Sequence, residues 1–185
     1  MHITHFTSDP HYGHANIIAF CGRPFVDTLQ MEATLIANYN QHVGASDTVL
    51  WVGDCFFCDE KAAAEILAQL NGHKILVRGN HDASAAKMAR IGFDLVVDSL
   101  TMHLAGKIVR VHHYPYRLES RGDDNERIKQ AGLKWPERQK DEWLIHGHIH
   151  SHEKQHGHAI HVGVDAWDFR PASLAEIEQL ITGAP

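Results

Sequence analysis

Cysteine is scarce: Cys21, Cys55 and Cys58 are the three thiols among 185 residues. So few cannot make a disulfide framework, and they fit a reducing compartment. Cys55 and Cys58 have C-x-x-C spacing, which suits a redox pair or half of a zinc site. No second pair completes such a site, and ordinary semi-buried thiols are the simpler reading. Basic charge is lacking too. With 17 Lys and Arg against 23 Asp and Glu, the net charge is −6, which argues against a broad nucleic-acid face but leaves room for a local basic cleft. No apolar run approaches the roughly 18–20 residues of a membrane span. Met1-His2-Ile3-Thr4-His5 has neither the basic region nor the apolar core of a secretory signal, so a cytoplasmic location is expected. Repeats, linkers and low-complexity segments are absent. At 44% hydrophobic and 22% charged residues, the chain is expected to form one domain over 1–185 with a substantial core.

Histidine, by contrast, is abundant, at 17 residues. It is the commonest neutral metal ligand, and here most copies lie in clusters at the ends of apolar runs. Residues 2–7 read as a strand, followed by a loop through Cys21-Gly22-Arg23-Pro24-Phe25. A helix is predicted over about 28–42, with Leu29, Ala33, Ile36 and Ala37 on one face. Strand 48–52 precedes a helix over 59–70, closed by Asn71-Gly72. The run 74–78 reads as a buried strand, with a helix over 83–91 after it. Segments 95–97, 100–104 and 107–112 have the spacing of antiparallel hairpins, which predicts a second sheet after a βαβ half. Residues 116–141 read as a long polar surface loop with one helical turn. Strands at 142–145 and 160–164 and a capped helix at 173–181 complete the pattern.

Five polar groups each follow an apolar run: Asp9 with His11, Asp54, Asn80 with His81, the pair His112 and His113, and His148 with His150. Their donors are oxygen and imidazole nitrogen without thiolate, which suits Mn, Fe, Co, Ni or Zn better than a structural zinc finger. Alternate residues such as Asp9/His11 and His148/His150 point the same way if the pleat continues. Seven or eight ligands are too many for one ion and suit two, about 3.5–4 Å apart, clamping the oxygens of a displacement at phosphorus. Taken singly, each residue is as readily a turn or surface group.

In their order, Asp9-x-His11, Gly53-Asp54, Gly79-Asn80-His81-Asp82, His113 and Gly147-His148-x-His150 resemble the motifs of calcineurin-like metallophosphoesterases. Gly13-His14-Ala15-Asn16-Ile17, Arg23-Pro24-Phe25, His113-Tyr114-Pro115 and Val162-Gly163-Val164-Asp165 are similar to a small bacterial and phage-type subgroup. The resemblance runs from Ile3 to about Pro171. It implies an α/β (α+β) fold, a four-layer α-β-β-α sandwich of two facing mixed sheets flanked by helices. It implies two divalent transition-metal ions, manganese first, with Fe, Zn, Ni or Co as alternatives. Asp9, His11, Asp54 and His150 would hold one ion; Asp54, Asn80, His113 and His148 would hold the other. His113 is chosen over His112 because the subgroup's ligand directly precedes Tyr-Pro. A metal-held hydroxide would attack phosphorus in line, His81 would assist the leaving group, and Asp82 would orient His81.

The resemblance therefore points to hydrolysis of a small phosphorylated substrate, a nucleotide or other phosphodiester, without a membrane or an extended nucleic-acid partner. A phosphomonoesterase or pyrophosphohydrolase would use the same core, and a non-catalytic scaffold is the alternative from another class. Asn80, His14 and Arg23 are candidate substrate contacts, with Arg117 an alternative cation better read as a surface ion pair. His152, His156, His158 and His161 are expected to be solvated loop or sheet residues.

Overall fold

The computed structural model describes residues 2–116 and 136–183. Its centre is β2 (Thr48–Trp51), four consecutive buried residues. Such a run needs cover on both faces. Val49 and Trp51 enter one core, while Leu50 and the following Val52 enter another. Alternation along the pleat causes this split. Around β2 stand β1 (His5–Thr7), β3 (His73–Val77) and β4 (Leu95–Val97), all parallel, with β10 (Ala172–Ser173) antiparallel at the edge. The first sheet thus has the order β10-β1-β2-β3-β4.

Helices α1 (Ala15–Cys21), α2 (Thr28–His42), α3 (Glu60–Ala68) and α4 (Ala85–Ile91) cover the outer face of this sheet. Asp27 and Asp59 start α2 and α3 by accepting the Gln30 and Ala62 amides, each at 2.8 Å. The second sheet, ordered β5-β6-β7-β9-β8, holds β5 (Leu100–Leu104), β6 (Lys107–Val111), β7 (Trp143–His146), β8 (Gln155–His156) and β9 (Ala159–His161). Its inner residues Val109, Val111, Ile145 and Ile160 meet Phe6, Leu50, Val52 and Val77 between the sheets. Helix α5 (Leu174–Thr182) adds Ile177 and Ile181 to that core. The result is two facing mixed sheets flanked by helices. Among the described residues, no helix is long and apolar enough to cross a membrane.

Four features differ from the sequence reading. The loop expected after the first strand contains α1, a 7-residue helix without a side-chain cap that ends at the left-handed Gly22. Helix α2 buries Met31, Leu35 and Tyr39, while Leu29 is 75% exposed, so the inward stripe is rotated from the one predicted. Segment β4 is no hairpin strand: it closes the first sheet parallel to β3, and the β5–β6 hairpin opens the second. The three runs are alike in composition, and the boundary lies in the Asp98–Ser99 link, where Arg78 binds Asp98 at 2.6 Å. The last predicted strand is also shorter, giving way to a 3-10 turn at Val164–Ala166. Most of the polar segment 116–141 lies outside the described residues.

Helix α5 begins in a reciprocal cap: the Ser173 hydroxyl accepts the Glu176 amide while Glu176 accepts the Ser173 amide at 2.8 Å. Arg170 donates to Glu176 at 2.7 Å. Those bonds outweigh partial burial and pull the Glu176 carboxyl down to about 2. Glu176→Ala should therefore destabilise the chain by about 1 kcal/mol in urea unfolding at neutral pH. A carboxyl with a depressed folded pKa stabilises above its ordinary value of 4.5, so the deficit should shrink as pH falls from there toward about 2. An equal deficit at both ends would contradict the ion-paired cap.

Candidate metal centre

Parallel strands deliver their C-terminal ends to one edge, and there the chain leaves the sheets through unusual backbone. Asp9, His11, Asp54, His148 and His150 all have positive φ, at 56°, 52°, 55°, 72° and 49°. Non-glycine residues adopt this conformation at a cost, which concentrates at functional sites. The expected continuing pleat is thus corrected: each loop turns sharply. His148 and His150 consequently point into different clusters. Glycine lets the loops touch. A Cβ on Gly79 would strike the Asp54 carboxylate, and one on Gly147 would strike Ser8 and Asp9.

Two groups of ligand atoms result at the strand ends, each gathered within 4.8 Å: Asp9, His11 and His150, and Asp54, His113 and His148; a third group, Cys21 with Asp165, shares His150 with the first. Asp54 stands between them, with Oδ2 3.8 Å from His11 Nε2 and 3.4 Å from His113 Nε2. Asn80 Oδ1 lies 3.0 Å from His113 Nε2. Asp9 Oδ1 and both ring nitrogens of His11 are buried without hydrogen-bond partners. Orphaned carboxylate and imidazole atoms 3.9 Å apart suit a cation, which would satisfy both. The residues present fit a metal.

Burial, helped by the nearby His150, Arg23 and His81, outweighs the Asp54 carboxylate and drives His11 down to about 2, so this imidazole is neutral. Burial also opposes charge on His113, but the Asp54 carboxylate overrides it and lifts the group to about 9. Asp54 in turn is pushed up by burial and pulled further down by His113, ending below the usual carboxylate range. His150 reaches about 10 because its bonds to Asp165 and Cys21 exceed the cost of burial. Ring orientation is set from behind. His113 Nδ1 donates to the Val52 carbonyl at 2.7 Å, and His150 Nδ1 donates to Asp165 Oδ2 at 2.9 Å. Such bonds aim the opposite nitrogen at a metal. His112 is elsewhere, with Nδ1 accepting the Tyr114 amide at 3.0 Å. Between the two strand-end histidines, the structure brings His113 to Asp54.

Two expected roles are corrected. Asp82 does not engage the His81 ring: Oδ2 accepts the amides of Asp54 and Gly79 at 2.9 and 2.8 Å, and Oδ1 accepts that of Cys55 at 2.9 Å. It ties two strand-end turns together. Arg23 is 4% exposed and donates to Asp165 at 2.8 and 2.9 Å and to the Pro10 and Asp9 carbonyls at 2.9 and 2.8 Å. It supports the cleft from beneath and does not face substrate. Arg117 lies outside the described residues.

His81 sits at the rim with a side chain 38% exposed, its Nε2 4.0 Å from Asp54 Oδ2. His14 stacks on Phe57 at 4.0 Å and lies 5.6 Å from His11. Cys55 is fully buried, with its thiol pushed up by that burial, and all three cysteines are free. Sequence reasoning assigned no role to Asp165 or Phe57. Asp165 had a signal, its place in the subgroup motif; Phe57 had none.

With Asp82 holding three amides, Asp82→Asn removes an acceptor and should cost about 2 kcal/mol in thermal unfolding. Metal affinity should fall about 10–100-fold through the loosened Asp54 turn. Unchanged stability and affinity with a lowered kcat would instead restore Asp82 as the partner of His81. Protonation gives a second test. The Asp54 and Asp165 carboxylates favour the protonated form of His113 and His150 at neutral pH, so a metal taken by these rings would displace their protons. Adding Mn²⁺ to chelated protein in weak buffer at about pH 7 should release about two protons. Apparent affinity should fall as pH is lowered, and silent indicator dye would refute the assignment.

The calcineurin-like phosphoesterase superfamily domain matches residues 1–165. An uncharacterized protein of Methanocaldococcus jannaschii is 31% identical over 183 residues, covering 94% of this chain and 88% of its own. The Gene 66 protein of Mycobacterium phage L5 is 31% identical over 207 residues, covering 96% and 93%. Among solved structures, a protein of unknown function from Aquifex aeolicus is 27% identical, with a TM-score of 0.69, 97% of this chain and all of that one covered. With its strand-end motifs gathered into two potential metal clusters, this chain belongs to the calcineurin-like phosphoesterase superfamily.

Proposed function

We propose that the protein is a metal-dependent phosphodiesterase acting on small nucleotide-type diesters with two divalent ions, manganese first among them. Asp9, His11, Asp54 and His150 would hold one ion, and Asp54, Asn80, His113 and His148 the other. The observation that carries this reading is the position of Asp54, whose Oδ2 faces an imidazole of each cluster at 3.8 and 3.4 Å. Two ions there would supply Lewis-acid polarisation of phosphoryl oxygens and activation of water.

The chain's own groups do the rest. The amide of His81 donates to Asp54 Oδ1 at 2.9 Å, which pins the backbone while the half-exposed ring stays at the rim. From there it donates a proton to the leaving oxygen. Arg23 is the arginine that influences His11 and His14, and its guanidinium is taken up by Asp165 and by the Pro10 and Asp9 carbonyls. Among the described residues the cleft therefore presents histidines to the non-bridging oxygens. That suits a singly charged diester better than a doubly charged monoester. The Phe57–His14 stack beside His11 offers an aromatic face for a base.

The test is turnover of a chromogenic phosphodiester beside its monoester, with Mn²⁺ resupplied after chelation. Diester preference is expected. His81→Ala should keep both ions and lose about 10²–10⁴-fold in kcat, most for poor leaving groups. Monoester preference would replace the diesterase reading with a phosphatase. Silence on both, with ions bound, would leave a non-catalytic scaffold.

A further inference from the structure

Two of the remaining histidines are not solvated. His146 and His161 are 3% and 2% exposed, which overturns the surface role expected for His161. They are register partners on the parallel strands β7 and β9, so their side chains stand together on one face. Leu144 and Ala159, two residues away on the same strands, pack with Tyr116, while Ile145 and Ile160 enter the core between the sheets. The histidine pair therefore lies on the outer face of the second sheet.

Their rings are 5.5 Å apart and tilted by 37°. His146 Nδ1 donates to the Gly147 carbonyl at 2.8 Å, which leaves Nε2 an acceptor. No hydrogen bond of good geometry reaches either ring nitrogen of His161, although the Ser151 backbone lies close enough to favour a proton on the ring. A buried imidazole with both nitrogens unsatisfied is costly, and an apolar residue of similar size would avoid the cost. A cavity of about 350 Å³ opens at the pair, with Ser151, Glu153 and His156 among its walls. Gly163 makes room for the ring, since a Cβ there would stand 2.5 Å from His161 Nε2.

We propose that this pocket is a further metal site, taking one borderline divalent transition-metal ion such as Zn²⁺. His146 and His161 bind it, and Glu153 and His156 complete the shell from the rim. With Zn–N near 2.0–2.1 Å, two imidazoles on one ion have ring centres about 5–6 Å apart, which matches the observed spacing. Imidazole and carboxylate donors without thiolate suit this ion class. The imidazole pair is preformed, but its third ligand is not: among the described residues, no third donor joins the pair within the 4.8 Å that gathers the cleft clusters. Glu153 and His156 are exposed, with Oε1 and Nδ1 3.9 Å apart, and turn inward on binding. An ion here staples the ends of β7 and β9 beneath the loop that carries His148 and His150.

The experiment adds Zn²⁺ to the chelated full chain. It follows imidazole nitrogens by long-range ¹H–¹⁵N correlation and counts bound ions after dialysis. His146 and His161 ring signals should move to metal-bound positions, and His161→Ala should bind one ion fewer than the natural chain. Should His161→Ala fail to fold, the exposed double variant Glu153→Ala with His156→Ala serves instead, with affinity for that ion at least about tenfold weaker. Shifts confined to His113 and His150, with equal ion counts in all chains, would overturn the site and leave the pocket to water. Because the cleft histidines report separately, loss of the cleft ions would be read apart from loss of this one.

Discussion

The Asp54 carboxylate is the point on which the cleft depends. Its oxygens face three ways: Oδ1 takes the His81 amide at 2.9 Å, and Oδ2 lies between His11 and His113. A buried carboxylate in these surroundings is unfavourable unless cations or strong donors surround it. In the metal-free chain the His113 proton serves that purpose, which is why burial fails to keep His113 neutral. The same arrangement invites a metal, since a divalent ion offers more charge than one imidazolium. Placing Asp54 requires the left-handed turn at φ 55°, a glycine on either side of the contact, and Asp82 beneath.

Support from behind follows one pattern around the cleft. Arg23 grips Asp165, Asp165 holds His150, and Arg23 also holds the Asp9 and Pro10 carbonyls. A planar guanidinium can make these contacts at once, whereas a lysine supplies one point charge. The chain thereby joins residues 142 positions apart, so that the first and last motifs move together. Burial of the pair makes it a device for fixing geometry more than a source of stability.

How much of this was legible in the sequence differs by level. The strands that deliver ligands were readable because apolar runs such as Val49 to Val52 stop abruptly at Gly53-Asp54, and the order of those stops carries the family signal. The cap at Ser173 was readable for the same local reason. What failed was tertiary. The inward stripe of α2 depends on which face meets Trp51, and nothing in the run of residues says that Met31 wins over Leu29. Likewise, the switch of sheets after β4 depends on partners far along the chain, not on the composition of three similar strands. Asp82 and Arg23 were misplaced because proximity in sequence to His81, or a positive charge near a motif, suggests a chemical role. Their actual partners are backbone groups and a distant aspartate.

The histidines show how one residue type takes several roles through burial and partner alone. His11 is buried beside Asp54 and Asp9 yet stays neutral, because no donor or acceptor bonds its ring and desolvation dominates. His113, fully buried, and His150, half-buried with a side chain 20% exposed, are charged instead, because each is matched to a carboxylate. His81 differs again by exposure: it lies near the same carboxylate as His113, but solvent reaches it. A proton donor must exchange with solvent between turnovers, while a ligand must not be lost to it. Partner and depth below the strand ends together therefore set which imidazole could hold a metal and which could exchange a proton, and that depth is set by loop backbone that no residue pattern reveals.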